Sequence, residues 1–388
     1  MVVSEGDGNG WVVSESGDRR WGRFGAAGLL LRAADPTDPD IPLVLLQHRA
    51  VWTASGDTWA LPGGALDSHE DAAAAALRET EEEAEIRPAD VVVRAERVTS
   101  RMPGTVWRRP GLDMRHAALL LSRLRPDQKH TEVEDDRGVE DGRGDGTDAA
   151  APDAAAPGAT RRRPRIPPLV QVSGDPVEWT YTTVVADAPR PLATVPNNES
   201  LELRWVPETR VTDLPLMPAF AAAWADGLRT EPVELVVDVA NVLGSRPDGW
   251  WKDRAGATTR LLEELGAGMP RTLEIPAAAA SDSSHAPGGA SVASARAGNS
   301  VSGDAPAPAR FGWVARAHAV IEGAARAAEH SGPFVVRRAA GEGDDAIVDL
   351  ATELEGGPRR VVVVTADRGL RARLPRGVVV VGPRALLG

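Results

Sequence analysis

Apolar positions along this 388-residue chain follow two patterns in succession. In the first, short apolar runs bounded by turn residues alternate with charged stretches. Residues 26–32 (AAGLLLR) and 43–47 (LVLLQ) read as buried strands, with further strands over 90–98, 117–122, 179–186 and 201–206. The stretch after Gly64 has helical spacing, with Ala73, Leu77, Thr80 and Ala84 forming a stripe that can bury against a sheet. A last helix over 217–227 offers Phe220 and Trp224 as core anchors. From Glu231 onward the runs become β-branched and alternate little, as in buried parallel strands: 233–237, 319–321, 334–337, 360–365 and 378–381. Helices fall between them, one over 252–266. The expectation is an α/β chain in two units. Residues 21–229 build a mixed sheet sandwiched by helices, and 231–388 an α/β unit with a parallel sheet; residues 1–20 precede them as a flexible segment.

Composition sharpens this outline in a few places. Residues 126–168 pass from acidic through Ala/Pro-rich to Arg161–Arg165, and 276–309 are rich in Ala, Ser, Gly and Pro; neither can bury a core, so disorder is expected in both. The arginine run reads as solvated beside the preceding acids, or as a nucleic-acid or phosphate patch. Cysteine is absent, which excludes disulfides and thiolate metal sites. A net charge of −12 argues against a general nucleic-acid coat. Residues 232–388 hold 18 acidic and 18 basic side chains, so the excess lies wholly in the first unit. Neither a secretory leader nor a membrane-spanning apolar run is legible, so the expected location is cytoplasmic, without a membrane partner.

The richest chemistry lies in residues 63–86, GGALDSHEDAAAAALRETEEEAEI. On a helix, Glu79, Glu82 and Glu83 lie at 0°, 300° and 40° around the axis, so their carboxylates share one face. Crowded anions repel unless a cation joins them, and hard Mg²⁺ or Mn²⁺ suits oxygen donors. A solvated Glu-rich helix would account for Glu81 and Glu85, but not for the Pro62-Gly63-Gly64 turn or the spacing back to Glu70.

The segment resembles the Nudix box, G-x5-E-x7-R-E-U-x-E-E-x-G-U with U bulky and aliphatic, at Gly64, Glu70, Arg78, Glu79, Glu82, Glu83 and Ile86. The resemblance implies an α/β/α sandwich and hydrolysis of a pyrophosphate link in a nucleoside diphosphate joined to another group. It implies divalent metal on Glu79, Glu82 and Glu83 and on the carbonyl of Gly63. Arg78 would brace the helix, and Glu70 belongs to the same box. Glu82 is one candidate for the general base; Glu199 and Glu202, before and within the late strand, are others. Glu202 reads equally as an edge-strand surface residue. Trp59 and Trp179 are aromatic platforms for a nucleobase, or core residues. The box departs from the pattern at Thr80, an aliphatic site, and at Glu85, where glycine usually ends the helix.

The second unit resembles PIN-like nucleases, in particular their NYN branch. The matching pieces are D-x-x-N at Asp238–Asn241, G-D-D at Gly343–Asp345 and T-x-D-x-x-L from Thr365. That resemblance implies Mg²⁺ or Mn²⁺ on Asp238, Asp345 and Asp367, with Asp344 and Asn241 assisting, Glu322 as a further addition, and RNA as substrate. The same aspartates read alternatively as turn and helix caps. Three activities remain in competition at this point: a metal-dependent pyrophosphohydrolase, a nucleotide sensor that regulates the second unit, and a chain that is chiefly a ribonuclease.

Overall fold

The computed structural model describes residues 6–53, 55–108, 169–172, 174–247, 249–276, 309–330 and 332–387. The expected strand at 117–122, the insertion 126–168 with its arginine run, and nearly all of 276–309 lie outside the described residues.

Two sheets organise the chain. The first contains β1 (Trp11–Val13), β2 (Arg19–Trp21), β3 (Ala26–Ala34), β4 (Pro42–Arg49), β5 (Trp59–Ala60), β6 (Gly63–Ala65), β7 (Val92–Arg108), β8 (Val170–Gln171), β9 (Val177–Asp187) and β10 (Ser200–Pro207). Its path runs β10-β4-β3-β9-β7-β1-β2, mixed because β3 and β9 are parallel while the other pairs along the path are antiparallel. Helix α1 (Ala72–Ala84) covers one face, where Leu29, Leu31, Leu45, Val184 and Ala186 meet Ala75, Ala76 and Ala84. Helix α2 (Pro218–Ala223) and the π-turn after it cover the other, where Leu30, Val44, Leu46 and Val185 meet Phe220 and Trp224. Period-two alternation along β3, β4 and β9 thus sorts successive side chains to two different helical layers. Within the segment 1–20, expected to be flexible, the described residues 6–20 instead supply β1 and most of β2. Val12 is fully buried, and β1 pairs with β7 at Trp11↔Trp107. Two isolated three-residue strands carry no periodicity that a sequence reading can detect.

The second sheet contains β11 (Thr230–Asp238), β12 (Arg271–Ile275), β13 (Arg310–Val314), β14 (Ala317–Ile321), β15 (Phe334–Arg338), β16 (Arg360–Val364) and β17 (Val379–Val381). Five of these run parallel in the order β15-β14-β11-β16-β17. Numbered within the unit this order is 3-2-1-4-5, and the reversal beside the first strand leaves a crevice at the carboxyl edge. The expected parallel sheet is present, with an addition: β12 and β13 are antiparallel, and β13 runs along the first residues of β11. The helices are α3 (Val239–Gly244), α4 (Arg254–Ala267), α5 (Gly343–Glu355), α6 (Arg368–Arg373) and α7 (Arg384–Leu387).

The two units share buried surface. Phe311 on β13 belongs to the same apolar cluster as Leu30, Trp59 and Trp224, and the Arg97 guanidinium sits 4.3 Å from its ring centroid. Asp187, at the end of β9, accepts from both the backbone and the hydroxyl of Thr272 (2.8 and 2.7 Å) and pairs with Arg94. Asp40 binds Arg316 and Arg359 at 3.1 and 2.8 Å, and the Trp313 indole donates to the Pro39 carbonyl. Apolar insertion flanked by satisfied polar contacts is what a fixed junction requires.

Candidate active site

The turn between β5 and β6 lays Gly63 and Gly64 alongside β3, at Gly28↔Gly63 and Ala27↔Gly64. Asp71 then starts α1, its carboxylate accepting from the Ala74 amide at 2.8 Å. The buried face of α1 differs from the expected stripe. Thr80 and Ala84 are buried as anticipated, but Ala73 and Leu77 lie at the margin, and Ala75, Ala76 and Glu83 are inside. This rotation delivers Glu83 to the glycine turn, where the Gly63 amide donates to Oε2 at 2.9 Å. Thr80 fits its aliphatic position because its hydroxyl donates to the Ala76 carbonyl at 2.7 Å. A side chain at Gly64 would meet the Glu79 carboxyl carbon at 2.5 Å, so only glycine lets that carboxylate lie against the turn.

Arg78 ties the site together. Its Nε and Nη2 form a fork on Glu70 at 2.7 and 3.0 Å, Nη1 donates to Glu79 at 2.8 Å, and Nη2 also reaches the Ala65 carbonyl at 3.0 Å. Glu82 lies 3.6 Å from Nη1 and is the most exposed of the three glutamates. Hydrogen bonding to Arg78 holds Glu70 below the usual carboxylate range. Burial raises Glu79 in spite of Arg78, with Glu82 and Glu199 adding repulsion. Burial, then the charge of Glu79, pushes Glu83 up to about 8. Such a cluster of hard oxygen donors, one of them deeply desolvated, suits a divalent cation. The carboxylates do not close to chelating distance: among the described residues, Asp7, Asp67 and His69 form the one such set with all ligand atoms within 4.8 Å. Those two aspartates accept from the amides of Ser68 and Gly8, which staple the N-terminal segment to the loop before α1.

The candidate bases separate clearly. Along β10, Leu203 and Trp205 face α1 while Val206 faces α2, so Glu202 shares the α2 face, away from the glutamates. It forms a two-pronged pair with Arg204 at 2.8 and 2.7 Å, and Arg204 lies over Trp59. This corrects the expectation for Glu202, whose parity on the strand excludes it from the site. Glu199, half-buried in the preceding loop, instead raises both Glu79 and Glu83 by its charge. Trp59 is 4% exposed with His48 stacked on it at 4.8 Å, and Trp179 is buried with its indole donating to the Trp21 carbonyl; both are core residues. Sequence reasoning missed Gln47, which reaches the Glu83 carboxylate, and Ser200 and Asn197, which link it to the loop bearing Glu199. A polar residue at an inward position of an apolar strand, as Gln47 is, is the signal that would have found it.

A second acidic centre lies at the crevice of the parallel sheet. A cavity of about 450 Å³ is lined by Asp238, Asn241, Glu322, Asp344 and Asp367 among others. Asp238 accepts from the Asn241 amide (3.0 Å) and the Thr365 hydroxyl (2.8 Å), and Asp367 accepts from the Leu370 amide (2.8 Å), so both also cap helices. Burial raises Asp238, and the charges of Asp344 and Glu322 add to it. Glu322 accepts from the Gly343 amide at 2.5 Å. Asp345 departs from expectation. Helical geometry turns adjacent residues about 100° apart, so Asp344 lines the cavity while Asp345 points out and pairs with Arg373.

Comparison with known proteins bears on the first unit. The family description "NUDIX domain" matches residues 23–166. A Mycobacterium tuberculosis protein named "Putative 8-oxo-dGTP diphosphatase 3" is 41% identical over 227 residues, 58% of this chain and 71% of that protein. A nucleoside triphosphate pyrophosphatase/Nudix hydrolase fusion protein of Bifidobacterium longum is 46% identical over 86 residues, 22% of this chain and 18% of that one. Among solved structures, a Nudix hydrolase from M. smegmatis, RenU, is 38% identical, with 56% of this chain and 91% of that chain covered at a TM-score of 0.36. With the complete glutamate set, the arginine fork and this extent of identity, the chain belongs to the Nudix family and is a pyrophosphohydrolase of that family.

Proposed function

We propose that the first unit hydrolyses the pyrophosphate link of a nucleoside diphosphate joined to another group, with nucleoside triphosphates such as 8-oxo-dGTP as the first class to test. Mg²⁺ or Mn²⁺ would be held by Glu79, Glu82, Glu83 and the Gly63 carbonyl. Bound there, the cation would supply charge to offset that on phosphate oxygens and would lower the pKa of water towards neutrality. Arg78 keeps Glu70 and Glu79 fixed before substrate arrives, so the carboxylates need little reorganisation. Glu199, beside Glu79 and Glu83, takes the proton of the attacking water as a phosphorus–oxygen bond of the link breaks. The observation that carries this reading is the arginine fork on Glu70 and Glu79 together with the Gly63 bond to Glu83. The choice of nucleoside triphosphate rests on the name of the 41%-identical relative. Purified chain with Mg²⁺ and a panel of 8-oxo-dGTP, dGTP, ADP-ribose and a dinucleoside polyphosphate tests it. Release of nucleoside monophosphate, abolished in Glu79→Gln, is expected; binding without turnover of any compound would favour a nucleotide sensor.

A second reading concerns the other unit, as a metal-dependent, PIN-like endoribonuclease centre. It is favoured by the cavity at the carboxyl edge, where Asp238, Glu322, Asp344 and Asp367 converge. Labelled single-stranded RNA with Mn²⁺, using Asp238→Asn as control, tests it. RNA left intact at stoichiometric protein removes the reading.

A further inference from the structure

Gln47 is 1% exposed on β4, on the face where Leu45 meets α1, so a polar amide is buried in an otherwise apolar layer. Its Nε2 donates to the Ser200 hydroxyl at 2.8 Å. Ser200 reaches Asn197 Oδ1 at 3.3 Å, and the same oxygen accepts from the Glu199 amide at 2.9 Å. Asn197 also meets the carboxyl end of α1: its backbone amide donates to the Glu83 carbonyl at 3.4 Å, and its Nδ2 to the Glu82 carbonyl at 3.5 Å. The same NH₂ group reaches the Glu83 carboxylate as a donor. One buried amide therefore touches a metal-binding carboxylate and, through two side chains, the loop bearing Glu199. Its Oε1 is buried with no hydrogen-bond donor among the described residues.

We propose that Gln47 is a positioning residue of the pyrophosphohydrolase: its NH₂ group holds the Glu83 carboxylate and, through Ser200 and Asn197, fixes Glu199 relative to it. It rests on the metal-dependent reading above and extends it to a named set of neutral side chains. An amide suits this task because its two N–H groups serve Ser200 and Glu83 together without adding a fourth negative charge. Partners one step removed from a metal typically change affinity or activity by about 10–100-fold when lost.

The test is a cycle of Gln47→Leu, Ser200→Ala and the double variant in the full chain. Mn²⁺ affinity is followed by the electron-spin signal of free Mn²⁺, and the glutamate site is defined by the part of binding lost in Glu79→Gln. For Gln47→Leu we expect Mn²⁺ bound about 10–100-fold more weakly and kcat lowered by a similar factor. KM should stay within about threefold, because the relay touches no substrate group. Ser200→Ala should show a smaller loss of the same kind, and the double variant should be no worse than Gln47→Leu, because the residues act in series. Wild-type Mn²⁺ affinity and kcat in Gln47→Leu, or additive losses in the double variant, would overturn the proposal. If Gln47→Leu does not fold, as judged by melting in EDTA, Ser200→Ala decides, and wild-type behaviour there overturns the relay. If the wild-type chain hydrolyses no nucleotide, the activity reading fails by itself; the Mn²⁺ measurement still supports or overturns the placement of Gln47.

Discussion

Replacing Glu83 by glutamine should stabilise the metal-free protein while abolishing turnover. The Glu83 carboxyl is 5% exposed and, without a cation, its pKa is pushed from 4.5 to about 8 by burial and by Glu79. A carboxyl whose folded pKa lies above its unfolded value favours the folded state fully below pH 4.5. That advantage disappears as pH rises towards 8. At pH 7 the shift corresponds to roughly 2.5 pH units at 1.36 kcal/mol each, or about 3 kcal/mol of lost stability. A glutamine in its place would keep an acceptor for the Gly63 amide and carry no charge. Allowing about 1 kcal/mol for imperfect pairing of its NH₂, a gain of about 2 kcal/mol remains. Urea denaturation in EDTA at pH 5, 6, 7 and 8 measures it. The variant should be more stable at pH 7 and 8, and the two proteins should converge towards pH 5. Equal or lower stability of the variant at pH 8, or a gap that does not narrow on acidification, refutes the assignment of a desolvated, repelled carboxylate.

Glu85 adopts a left-handed backbone at φ 57°, so Glu85→Gly should raise stability by about 1 kcal/mol in the same assay and leave kcat unchanged. Glu199→Gln should lower kcat by about 10²–10⁴-fold, whereas Glu202→Gln stays within about twofold; steady-state kinetics on the best nucleotide separates the two. Arg78→Lys loses the fork on Glu70 and should weaken Mn²⁺ binding at the glutamate site by at least about tenfold, read by titration calorimetry. Phe311→Asp buries a charge in the first unit's core. It should destabilise that unit by about 3 kcal/mol or more, visible as an earlier urea transition of nucleotide hydrolysis.

The box between Gly63 and Ile86 was legible because its chemistry is local. Gly64, Glu70, Arg78, Glu79, Glu82 and Glu83, on one turn and one helix, meet through contacts that the spacing itself dictates. The buried face of α1 is rotated from the expected stripe, because Glu83 is solvent-seeking by type until strand pairing brings the Gly63 amide to it. Glu202 and Glu199 could not be told apart in the sequence, because strand parity depends on a register shift between Ser200 and Glu202 that only the pairing with β4 reveals. The same limit applies to Asp344 and Asp345, whose roles follow from where α5 begins. The β12–β13 pair escaped notice because its two strands lie on either side of a long low-complexity stretch. A polar amide such as Gln47 carries no motif at all, and Ser200, through which it reaches the Glu199 loop, is 153 positions away.

Insertion of Phe311 beneath the first sheet sets an order of events during synthesis. When residue 229 leaves the ribosome, the layer around Leu30, Trp59 and Trp224 still lacks a ring that is encoded roughly 80 residues downstream. At about 5–20 residues per second that interval lasts roughly 4–16 seconds, during which an oily cleft stands open to chaperones or to neighbouring nascent chains. The hydrolase unit is therefore finished by its C-terminal neighbour, and expression as an isolated fragment would leave that cleft permanently bare.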